Sequence, residues 1–279
     1  MKNILAAGIG ALTLVLVAQP VLAADMPVKA RPVVVPVYDW TGWYIGVNGG
    51  YSWGRSDTTA TFFNNSTDAF ISSSSSRIKL NGPIAGGQIG YNQQSGRRVW
   101  GIEVDGQWSG QDGNTTFLCA TSPATVIPCN FNTGPGAGES PTASFSQSLE
   151  WFVTARLRLG MTLTPTVLAY VTGGLAIGKI ETNGVLSGVT AIGAPTAVAF
   201  SYDDIKAGWT VGGGLEMHLS GNWTGKIEYI YADYGTVSGS AVLLTSNPPL
   251  RAHFSSDVTD HVIRVGLNYR WQSAVVARN

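Results

Sequence analysis

The 279-residue chain carries 17 basic and 17 acidic residues and is 44% hydrophobic. That length suits one all-β unit, and the balanced charge leaves no basic field to hold nucleic acid. Beyond the first segment no apolar run approaches the ~20 residues of a membrane helix, so any bilayer crossing must be made by strands.

Residues 1–23 read as a secretory signal peptide. Lys2 supplies the positive end, residues 4–17 the apolar core, and Val21-Leu22-Ala23 a small-x-small cleavage pattern, with Ala24 as the second choice of site. Residues 24–39, with Pro27, Pro32 and Pro36, predict an extended, semi-rigid periplasmic lead-in.

Over residues 40–271 the chain repeats one kind of segment eight times, apolar residues alternating with small or polar ones. The clearest is 149–161. One face reads Leu149, Trp151, Val153, Ala155, Leu157, Leu159, Met161, and the other Glu150, Phe152, Thr154, Arg156, Arg158, Gly160. A period of two gathers both arginines on one side, which helical spacing does not. In chain order, the others set Trp43, Ile45, Val47 and Tyr51 against Tyr44, Asn48 and Ser52. Ala85, Ile89 and Tyr91 face away from Ile84, Gln88 and Asn92, and Trp100, Ile102, Val104 and Trp108 from Glu103, Asp105 and Gln107. Val167, Ala169, Val171, Leu175 and Ile177 oppose Tyr170 and Thr172. Trp209, Val211, Leu215 and Met217 oppose Thr210, Glu216 and His218, and Trp223, Ile227, Tyr229 and Tyr231 oppose Thr224, Lys226 and Glu228. Last, His261, Ile263, Val265, Leu267, Tyr269 and Trp271 oppose Val262, Arg264, Asn268 and Arg270. Each segment has about the length of a tilted membrane strand, ~9–11 residues, plus a short extension.

Long polar connections (55–81, 110–148, 179–206, 236–257) alternate with short ones (94–96, 162–166, 220–222). That rhythm predicts an eight-stranded antiparallel transmembrane β-barrel, with four long external loops, short periplasmic turns and both ends on the periplasmic side. Residues 272–279 form a short C-terminal tail. Trp43, Trp53, Trp100, Trp108, Trp151, Trp209, Trp223, Tyr269 and Trp271 fall mostly near strand ends, where amphipathic rings belong at bilayer interfaces.

The inward faces gather Glu103, Asp105, Glu150, Glu216 and Glu228 against Arg156, Arg158, Lys226, Arg264 and Arg270. Buried charges are tolerable when paired, and an eight-stranded barrel is just wide enough for its side chains to fill. The balanced set therefore reads as an ion-pair core rather than a selectivity ring, which would favour one sign; a narrow porin path for small solutes is the alternative. Cys119 and Cys129 predict a loop disulfide in an oxidising compartment, worth ~2–3 kcal/mol, and no further Cys or His lies near enough to suggest a metal. His218, Ser220 and Glu228 are residue types of a serine hydrolase, but Ser220-Gly221-Asn222 is accounted for by turn chemistry alone. Asp257, Asp260 and His261 read as solvating a strand start. No catalytic residue, metal or cofactor is expected.

Residues 38–46 (Tyr-Asp-Trp-Thr-Gly-Trp-Tyr-Ile-Gly), 226–235 (Lys-Ile-Glu-Tyr-Ile-Tyr-Ala-Asp-Tyr-Gly) and 260–271 (Asp-His-Val-Ile-Arg-Val-Gly-Leu-Asn-Tyr-Arg-Trp) resemble the small outer-membrane, immunogenic or porin-family β-barrel proteins of alphaproteobacteria. That group's fold is similar to the OmpA transmembrane barrel. The resemblance spans about residues 38–271 and implies an abundant, surface-exposed envelope protein of the cell outer membrane with structural duties. Outer-membrane lipid, the assembly machinery and a surface ligand are its implied partners. One departure is that such chains commonly end on an aromatic read by the assembly machinery, whereas here residues 272–279 follow Trp271.

Overall fold

The computed structural model describes residues 38–118, 142–189, 194–244 and 249–271. Eight strands run in order: β1 (Gly42–Asn64), β2 (Phe70–Ser95), β3 (Arg98–Leu118), β4 (Thr142–Thr164), β5 (Val167–Val189), β6 (Pro195–Ser220), β7 (Trp223–Leu243) and β8 (Leu250–Arg270). Each pairs antiparallel with the next, and β8 returns to β1, so the sheet closes on itself. Closure matters physically because it leaves no edge strand with unpaired backbone groups, which hydrocarbon cannot satisfy. At the short-turn end, Gly96 and Gly221 take φ of 60° and 55°, the left-handed region that tight hairpins need and glycine enters without strain.

The strands are longer than the sequence predicts. They run 21 to 26 residues, about twice what crosses a bilayer, because much of the four connections expected as long loops is itself strand. The reason is visible along β1. Even-numbered residues point inward for its whole length: Tyr44, Asn48 and Ser52, then Ser56, Thr58, Ala60 and Phe62, all buried. Odd-numbered residues point outward and change character, from Trp43, Ile45, Val47, Tyr51 and Trp53 to Arg55, Asp57, Thr59 and Thr61. The alternation never stops. Only its polarity inverts, from apolar-out beside lipid to apolar-in beside water, and β8 mirrors it with Val258, Phe254 and Ala252 inward.

The interior is consequently layered. At the turn end, Tyr38 and Trp40 pack with Val99, Leu168 and Tyr170. A charged and polar layer follows. Beyond it stands an apolar column that includes Ile78, Leu80, Phe152, Ile180, Ile230 and Tyr234. It ends in an aromatic group where Phe145 meets Phe117, Phe200 and Phe254 with ring centres 4.4 to 5.3 Å apart, within the range of favourable edge-to-face pairs.

Two placements correct the sequence reading. The β4–β5 register shifts between Leu149 and Trp151, and one extra residue in a bulged strand reverses its facing on either side. Leu149 and Phe152 therefore both point inward and are buried, whereas Glu150 leaves the lumen set. Asp260, expected to solvate a strand start, is instead buried inside. It shares the parity of Val262 and Arg264, so strict alternation along β8 carries it inward.

Candidate functional site

The central feature is the charged layer, built by β3, β4, β6, β7 and β8 placing like-parity residues at neighbouring register. Glu103 stands directly opposite Arg156, Glu228 opposite Arg264 and Glu216 opposite Lys226. From there the side chains reach across the lumen. Arg156 approaches Glu103 at 2.6 Å, Asp105 at 2.8 Å and Glu228 at 2.9 Å. Arg264 meets Asp105 at 2.8 Å and Glu228 at 2.7 Å, while Lys226 lies 3.0 Å from Glu103. A second group forms nearer the turns, where Glu216 accepts from Arg158 and Asn268. Tyr44 joins the two by donating to Glu103 at 2.8 Å and accepting from Arg158 at 3.3 Å, and the Arg158 guanidinium stacks 3.6 Å from the Tyr170 ring centre. Arg270 closes the floor, donating to the Trp40 carbonyl.

Nine of the ten residues expected in the lumen core are thus brought together: Glu103, Asp105, Glu216, Glu228, Arg156, Arg158, Lys226, Arg264 and Arg270. Their side chains are at most 1% exposed. A buried ion is stabilised only when partners replace its water, and here bidentate guanidinium–carboxylate contacts do so. The tenth, Glu150, sits on the outer wall 2.9 Å from Lys179, which also reaches Asp203 at 3.3 Å. The hydrogen bond from Lys179 holds the Glu150 carboxyl below its usual range, and the same bond raises the Lys179 amine.

Sequence reasoning passed over three contributors. Tyr44 was placed on the inward face without a partner. Asp260 accepts from Ser52 and, at 3.1 Å, from Gln111, and the Asn48–Gln88–Asn268 amide chain lines the wall between charged residues. Their signal was parity alone.

The expected interface aromatics all lie on the outer face. Trp43, Trp100, Trp223, Tyr269 and Trp271 stand towards the short turns, with Trp223 and Tyr269 ring centres 5.3 Å apart. Trp53, Trp108, Trp151 and Trp209 stand farther along their strands, Trp108 directly opposite Trp151. From Trp100 to Trp108 a strand tilted ~45° climbs roughly 20 Å, close to the height of an apolar membrane band.

The hydrolase residues are not assembled. His218 contacts the Gly221 carbonyl at 3.0 Å, and Glu228 is enclosed by Arg156 and Arg264 in the lumen. Cys119 and Cys129 lie outside the described residues, as do the expected signal peptide, residues 24–37 of the lead-in, and the tail 272–279.

The family described as outer membrane protein beta-barrel domain matches residues 9–270. Over 278 residues the sequence is 32% identical to the 31 kDa outer-membrane immunogenic protein of Brucella melitensis, spanning 97% of this chain and 100% of that one. A 22 kDa outer membrane protein of Rhizobium leguminosarum bv. viciae is 27% identical over 218 residues, 76% of this chain and 70% of its own. Neither name is that of an enzyme. Among solved structures, the outer membrane protein OprG of Pseudomonas aeruginosa aligns with 84% of this chain and 97% of its own at 12% identity and a TM-score of 0.43.

Proposed function

We propose, from the premise that this chain belongs to the outer membrane protein β-barrel domain family, that it is a plugged membrane anchor holding a surface-exposed β-extension. Its location in the outer membrane and its structural or surface role follow from that membership; the division of labour within the barrel is our reading. The observation that carries it is the inversion of polarity along β1 and β8: the lower half suits lipid outside and ions inside, the upper half suits water outside and an apolar core inside. A tube filled along its length by paired charges and then by packed rings offers no continuous polar path, which sets the narrow-porin reading aside. The upper outer face, hydroxyl-rich through Thr59–Ser75 and Thr116–Ser144 contacts, is the surface offered to partners.

A membrane-impermeant amine reagent applied to intact cells tests the orientation. Lys79 and Lys179 on the upper outer wall are expected to be labelled, and Lys226 in the lumen is expected to be protected. Protection of all three would overturn the assignment of the extension to the cell surface.

A further inference from the structure

Among the described residues, three of the five lysines and arginines on the outer wall beyond the upper aromatic ring are neutralised by an acid. Arg77 lies 2.6 Å from Asp57, Lys179 2.9 Å from Glu150 and Arg251 2.7 Å from Asp68. Arg55 and Lys79 are the exceptions among the described residues, and they stand directly opposite one another on β1 and β2. Like charges at opposed positions destabilise a sheet, so the pairing asks for an anion between them. The neighbouring acids do not supply it. Asp57 is held by Arg77, Asp257 accepts from Thr236, and Asp112 stands across from Asn81 rather than Lys79.

The position says which anion fits. One step towards the membrane on the same face are Trp53 and Asn81, themselves paired, with Trp53 half-exposed in the upper ring. Aromatic rings of that kind mark the headgroup level, so the two cations stand where lipid phosphates lie. Lower on the same wall the outer face is apolar, and a groove sided by Val47, Ile89 and Val104 runs down to Trp223 and Tyr269 of the turn-end ring.

We propose that Arg55 and Lys79 form a binding site for the phosphate group of an outer-leaflet lipid. The guanidinium offers a planar fork to two phosphate oxygens and the ammonium a point charge to a third. The bound phosphate cancels the cross-strand repulsion, and the acyl chains lie against the apolar outer face below Trp53. This site rests on the membrane placement given above.

The test uses the full chain refolded into phosphatidylcholine nanodiscs and titrated with lipid A, a bisphosphorylated glucosamine lipid, or with its dephosphorylated form. Retained lipid is counted by native mass spectrometry. At about fivefold per cation, Arg55→Gln with Lys79→Gln is expected to weaken retention of the phosphorylated lipid roughly 30-fold. Arg251→Gln, whose cation already has an acid partner, should leave it unchanged. Unheated gel mobility verifies that each barrel has closed, and Lys79→Gln alone, with a roughly fivefold loss, serves if the double variant fails to fold. Retention by the double variant equal to wild type would overturn the site. Displacement of the lipid by millimolar inorganic phosphate would overturn the lipid in favour of a free anion. Retention of neither lipid by wild type would overturn the membrane placement, and the site with it.

Discussion

At the scale of single residues, the lumen is a set of charges that depend on one another. Arg156 and Arg264 touch the same three carboxylates, Glu103, Asp105 and Glu228, and Arg156 is the closer of the two to Glu103, at 2.6 Å against 3.5 Å. Removing one partner of a buried ion pair strands the others without water. Arg156→Ala is therefore expected to lower stability by about 3–5 kcal/mol, read as a fall in the urea midpoint of the unheated, fast-migrating band. The pair on the outer wall behaves differently. The Glu150 carboxyl is held below its usual range by Lys179, so its contribution is present above that range and disappears as pH falls. Both groups are open to solvent, where such pairs contribute little. Glu150→Gln is thus expected to leave the midpoint where it was at any pH, and a clear fall would place Glu150 back inside. A smaller test concerns Gly90, where an added Cβ would meet the Tyr44 ring and hydroxyl. Gly90→Val should displace that ring, break its bond to Glu103 and destabilise by about 1–3 kcal/mol.

At the scale of the strand, parity carries nearly all the information. The facing of Glu103, Arg156, Glu228 and Arg264 was legible because each sits on a run of uninterrupted alternation, and with eight such runs the barrel follows. Glu150 was misplaced because a bulge is a local backbone event: Leu149, Glu150 and Trp151 read as ordinary alternation, and nothing in their types marks the extra residue. The strand extensions were missed for another reason. Serine- and threonine-rich composition such as Ser72–Ser76 reads as loop, yet Ile78, Leu80 and Ile84 nearby keep an inward apolar beat. Polarity inversion, not loss of periodicity, was the signal. If the extension is a cored barrel, its centre is the aromatic group around Phe254. Phe254→Ala should cost about 3–5 kcal/mol there, exposing β1, β7 and β8 beyond the upper ring to added protease while the membrane part stays closed. An extension cleaved equally fast in wild type would show that it has no core of its own.

At the scale of the whole molecule, the layers stack into one continuous filling. Trp40 and Tyr38 lie at the turn end, ion pairs at mid-height, the Asp260–Ser52–Gln111 group above them, and the apolar column beyond. The amphipathic wall fixes the height of the barrel in the bilayer, and the filling makes it an anchor rather than a conduit. Single-channel recording of the refolded chain in planar bilayers tests that claim most directly. A silent wild type is expected, with at most irregular leak from Arg156→Ala or Glu228→Ala as the mid-height layer loosens. Reproducible wild-type steps whose size or ion preference changes with either substitution would contradict it and make the lumen a pore.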